Sequence, residues 1–148
     1  MKPTTNETIA SALCDAWSAV ERVLSGNLGA VLGITYSEYR LLGAIAQDAD
    51  ADADAGASRV EIAQRVGLTP SAVTRAIRPL TSIGLVESVS HPRDARKSIA
   101  KLTTAGLELF TNATDVVDGV TEQIEGTAST AREHRESLLV MLAELAHV

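Results

Sequence analysis

Cysteine is almost absent: Cys14 stands alone among 148 residues. A lone thiol excludes an intrachain disulfide and any metal site built on several cysteines. Aromatic residues are 3% of the chain, so the core has to be aliphatic. No apolar run approaches the ~18 residues of a membrane span. The opening MKPTTNETIA lacks the basic-then-apolar order of a signal peptide. These absences predict a cytoplasmic chain with no membrane partner. A Gly-rich phosphate loop, catalytic-triad spacing and a His-Glu metal motif are missing too. His91, His134 and His147 are scattered. The expectation is therefore no enzyme, no cofactor and no metal site.

What is present is close to a soluble average: 45% hydrophobic and 22% charged residues. That composition excludes a disordered chain, and 23 alanines favour helix over sheet. The length fits one domain, with or without an oligomerisation extension. A net charge of −6 alone speaks against nucleic-acid binding. Its distribution reverses the inference. From Arg59 to Lys101 eight bases face three acids, a local +5, and the remainder carries −11. A basic middle in an acidic chain is the footprint of a polyanion site or a surface segment that happens to be basic.

Apolar spacings of three and four predict a helix over 7–28, with Ile9, Leu13, Ala16, Val20 and Leu24 on one side. Gly26, Gly29 and Gly33 should then loosen the chain. A second helix is expected from about Ser37 to Gln47. The acidic, low-complexity run 48–58 reads as a loop. Ser58 and Glu61 fit a capping box, and Gly67 closes that short helix. Thr69 caps the next helix and Pro70 suits its first position. It runs to about Ile83 and stops at Gly84. Two short helices joined by Gly67-Leu68-Thr69 are a helix-turn-helix signature. Residues 85–89 and 98–102 read as paired strands, with 91–97 as a polar, basic hairpin tip. Helices near 103–124 and 130–146 follow.

Such a unit lays its second helix in the major groove and reads bases mainly from the N-terminal half. Thr69, Ser71 and Thr74 offer hydroxyls to phosphates or base edges, and Ala72 can touch a thymine methyl. Arg75 and Arg78, three apart, can fork onto guanine or neutralise phosphate. His91, Arg93, Arg96 and Lys97 are placed to follow the backbone or enter the minor groove, and Asp94 to aim an arginine. Pro79 removes one N–H and crowds the carbonyl of Arg75, which predicts a bend late in the helix.

At these residues the chain resembles the MarR-type regulators. The likeness runs from Ile62 through Arg75, then Leu80, Gly84-Leu85-Val86, Asp94-x-Arg96 and Leu102-Thr103-x-x-Gly106. It implies a mostly α fold with a small β-wing and a single domain over 1–148. The DNA-binding lobe would be 35–102, with 7–28 and 103–146 as dimerisation helices. It further implies a homodimeric repressor that binds double-stranded DNA at a palindromic operator and releases it on binding a small aromatic or phenolic ligand. Ala95 stands where a wing arginine is common in that family, and the acidic loop is longer than usual.

Apolar stripes on the terminal helices serve either a dimer or packing within one chain. Trp17, Tyr36 and Tyr39, with Arg40 as a carboxylate partner, are candidate ligand-pocket residues; packing at a hinge is the other reading. Cys14 resembles, in part, the thiol of organic-hydroperoxide sensors of the same family, and otherwise reads as an inert cysteine. A winged helix used only for protein contact is the remaining alternative, separable by salt dependence.

Overall fold

Caps decide where the helices start and stop. The computed structural model describes residues 8–47, 56–91, 94–127 and 133–145, with backbone alone at 91, 94–97, 127 and 145. Helix α1 (Ile9–Leu32) opens at Thr8, whose hydroxyl accepts from the Ser11 amide at 3.2 Å. It runs straight through Gly26 and Gly29 and ends only at Gly33, which takes φ 71°. A glycine inside a helix costs about 1 kcal/mol. Burying Leu24 and Leu28 offsets that, at about 1.5–3 kcal/mol for each full burial.

Helix α2 (Tyr36–Ala46) starts earlier than Ser37 because Thr35 and Glu38 form a capping box. The Thr35 amide donates to the Glu38 carboxylate at 2.8 Å, and the Glu38 amide donates to Thr35 Oγ1 at 3.2 Å. Strand β1 (Ala57–Ser58) leads directly into α3 (Arg59–Val66), where the expected Ser58–Glu61 box forms and Gly67 closes the helix at φ 72°. Two arginines tie α2 to α3 reciprocally. Arg65 donates to the Ala44 carbonyl at 2.7 Å, and Arg40 to the Val66 carbonyl at 3.4 Å. Each cation sits at the end of the other helix where unpaired carbonyls collect.

Helix α4 (Pro70–Ser82) has Thr69 as its cap and Pro70 at its first position, as expected. The helix continues through Pro79 to Ser82. Gly84, at φ 77°, turns the chain into β2 (Val86–His91), and β3 (Asp94–Leu102) returns antiparallel. Sheet order is β1-β3-β2. The ladder runs from Val86↔Leu102 to His91↔Asp94, with a register shift between Ser90 and His91. The strands thus take in residues 91 and 94–97 that the sequence reading assigns to the tip. Pairing uses the main chain, so polar side chains do not end it. Two-residue β1 carries too little pattern to be read from sequence.

Helix α5 (Thr104–Thr127) is joined to this lobe by a close backbone approach. The Thr103 hydroxyl donates to the Gly84 carbonyl at 2.6 Å and accepts from the Gly106 amide at 3.1 Å. A Cβ at Gly106 would collide with the Leu85 carbonyl oxygen. That contact supplies the physical reason for the Leu102-Thr103-x-x-Gly106 motif. Helix α6 (Arg135–Leu145) follows. The core draws Leu28, Leu42, Ile45, Ile62, Ile77 and Leu80 from four helices around the sheet.

Candidate nucleic-acid interface

Helix α4 divides cleanly by face. Val73, Ile77 and Leu80 are buried, which fixes its rotation on the core. At 3.6 residues per turn, Ser71, Thr74, Arg75 and Arg78 then fall on the opposite side, and all four are exposed. The sequence-predicted residues of this helix therefore come together on one free surface, with Ala72 half-buried beside them. Local hydrogen bonds set the hydroxyls. Thr69 Oγ1 accepts from the Ala72 amide at 3.2 Å and lies 3.2 Å from Ser71 Oγ, while Thr74 donates to the Pro70 carbonyl at 2.9 Å. Thr69 and Thr74 are thus partly occupied by the helix itself. Ser71 and the two guanidiniums are the groups best placed to reach outward. The helix start adds unpaired amides on the same side as the cap.

Not every base of the cationic segment belongs to this surface. Arg65 is turned inward to Ala44. Arg59, missed by the sequence reading as a special residue, is partly buried and donates from Nη2 to Ser88 Oγ at 2.9 Å. Its Nη1 is buried with no hydrogen-bond partner, and desolvation lowers its pKa from the ordinary arginine value. Ser88 carried no signal of its own, because a serine in a strand has no pattern to mark it. In the wing, Arg93 lies outside the described residues. So do the side chains of His91, Asp94, Arg96 and Lys97, whose backbones form the ladder.

The four aromatic residues of the chain form one continuous row. Ring centroids are 5.7 Å apart for Trp17 and Tyr36, 5.8 Å for Tyr36 and Tyr39, and 5.5 Å for Tyr39 and Phe110. The row links α1, α2 and α5. Gly43 leaves room for the Phe110 ring, since a Cβ there would stand 3.1 Å from it. Tyr39 Oη lies 3.5 Å from Thr114 Oγ1. Trp17, at the outer end, is 49% exposed. Arg40 is exposed and engaged with Val66. Cys14 is exposed on α1. Among the described residues no group of three or more His, Cys, Asp or Glu side chains could hold a metal. None of the described helices is long and apolar enough to cross a membrane.

Residues 32–97 match the model of the MarR family. No curated protein gives a match. Among solved structures, the transcriptional repressor CouR bound to a 23-mer DNA duplex is 25% identical, with 99% of each chain covered and a TM-score of 0.79. BpsR of Bordetella bronchiseptica, solved to explain regulation of its DNA binding by 6-hydroxynicotinic acid, is 17% identical. It covers 100% of this chain and 99% of its own, at TM-score 0.81. A MarR family protein of Mycobacterium tuberculosis in complex with salicylic acid is 24% identical, covering 93% of this chain and 98% of its own at TM-score 0.71. With a match to the MarR family model over residues 32–97, across the helix-turn-helix and most of the wing, and with the fold of these solved structures, the chain is similar to MarR-type winged-helix proteins.

Proposed function

We propose that the chain is a sequence-specific transcriptional regulator that binds double-stranded DNA through α4 and the β2–β3 wing. One observation carries the reading: Ser71, Thr74, Arg75 and Arg78 share the exposed face of a capped helix whose other face is locked in the core. Within that reading Thr69, Ala72, His91, Arg93, Asp94, Arg96 and Lys97 complete the interface. The protein acts as a homodimeric repressor. Helices α1, α5 and α6 pair two copies so that two recognition helices meet a palindromic operator about one helical turn (~34 Å) apart. Apolar side chains from Leu138 to Leu142, 36–59% exposed, support that pairing.

A small aromatic or phenolic ligand relieves repression by engaging the row Trp17–Tyr36–Tyr39 between the dimerisation helices and the DNA-binding lobe. One structural neighbour is in complex with salicylic acid, and the DNA binding of another is regulated by 6-hydroxynicotinic acid, which supports the ligand class. Gel retardation with the intergenic DNA beside the protein's own gene tests the assignment. Wild type should bind, and an Arg75→Ala/Arg78→Ala variant should lose about 1–3 kcal/mol for each arginine that forks onto a base. Salt-independent binding, or none, would leave protein contact as the function of the wing.

A further inference from the structure

Apart from the exposed cations of α4, the lobe contains a partly buried one that is turned onto the sheet. Arg59 is the first residue of α3, where a positive side chain opposes the helix dipole. It ends against Ser88 in β2, with one guanidinium nitrogen buried and unpartnered. A guanidinium nitrogen buried without a hydrogen-bond partner is uncommon and asks for a structural reason. The place is informative. Strand β1 supports the sheet at only two pairs, Ala57↔Ala100 and Ser58↔Ile99. Ser88 pairs with Ala100 and Val89 with Ile99, so beyond that level the ladder is a two-stranded ribbon. Arg59 follows Ser58 of β1 directly and its guanidinium bonds Ser88 of β2, on the far side of β3 in the sheet order, so it links the two outer strands near the point where the ribbon leaves the sheet.

We propose that Arg59 is a positioning residue that clamps the base of the wing and so aims its far end at the DNA. The lever arm makes the clamp matter. From Ser88 to the His91↔Asp94 pair is three residues, or about 10 Å at ~3.3 Å per residue. A tilt of about 10° at the base then moves that end by nearly 2 Å, more than a hydrogen bond to phosphate tolerates. Ser88 is the matching half of the clamp, because its hydroxyl is the acceptor.

The inference rests on the DNA-binding reading for its consequence but not for its geometry, so two readouts are needed. In the free protein, Ser88→Ala should speed amide hydrogen exchange at Val89–His91 and leave α4 unchanged, while Ser88→Thr, which keeps the hydroxyl, should restore protection. On the intergenic duplex, Ser88→Ala and Arg59→Ala should each weaken binding about tenfold, within the coupling range of residues that act through one another. The loss from Arg59→Ala should largely vanish in a Lys97→Ala background. Unchanged exchange and affinity in Ser88→Ala would overturn the clamp. So would additive losses for Arg59→Ala and Lys97→Ala with the salt slope reduced by about one, because Arg59 would then be a phosphate contact itself. Faster exchange in Ser88→Ala with no DNA binding by wild type would uphold the clamp and reject the DNA reading.

Discussion

Pro79 shows how a single residue's cost can be separated from its neighbours' function. It sits inside α4, one turn after Arg75. With no N–H it leaves the Arg75 carbonyl without its usual intrahelical donor. Pro79→Ala restores that donor, so the variant should be more stable by up to about 3 kcal/mol, seen as a higher denaturant midpoint at unchanged slope. A lower midpoint would mean that the ring packs against something the helix needs. Arg75 and Arg78 were legible in the sequence because helical spacing alone puts them on one face. Arg59 was not, because nothing in a linear string marks a cation that meets a serine two strands away in the sheet. Arg65 was counted with the basic segment for the same reason, although the fold spends it on the end of α2.

At the level of elements, caps were the most readable feature and strand ends the least. Ser58, Thr69, Gly67 and Gly84 act where their chemistry says they should. Thr35–Glu38 carried the same signal and went unread, which shifted the start of α2. The glycines of α1 misled because glycine permits a turn without requiring one, and two buried leucines outweigh it. The joint between α5 and the wing makes this testable. Gly106→Ala pushes a methyl into the Leu85 carbonyl and should cost about 1–3 kcal/mol, as overpacking does. Gly119, also in α5, has nothing within 4 Å of an added Cβ. Gly119→Ala should therefore stabilise by about 0.4–1 kcal/mol. Equal effects of the two substitutions, read by thermal or urea unfolding, would show that the Gly84–Leu85–Thr103 contact is not a constraint.

For the whole molecule, the charge map and the apolar map point in different directions along the chain. Positive charge gathers between Arg59 and Lys101, while α6 keeps Leu138 through Leu142 exposed in the single chain. A second copy would cover that face. Leu138→Glu/Leu142→Glu, one turn apart on one side of α6, should shift the protein from dimer toward monomer in sedimentation. Its α4 and wing should stay folded. A wild-type monomer at micromolar concentration would remove the symmetric-operator part of the account. The central claim is more direct: the exposed face of α4 holds DNA. Affinity for the intergenic duplex, measured across a salt series for wild type and the Arg75→Ala/Arg78→Ala variant, tests it. The account predicts a steep fall of wild-type affinity with salt, with slope near −0.9 for each phosphate neutralised, and a large loss in the variant. A shallow slope with equal binding by the two proteins would contradict it.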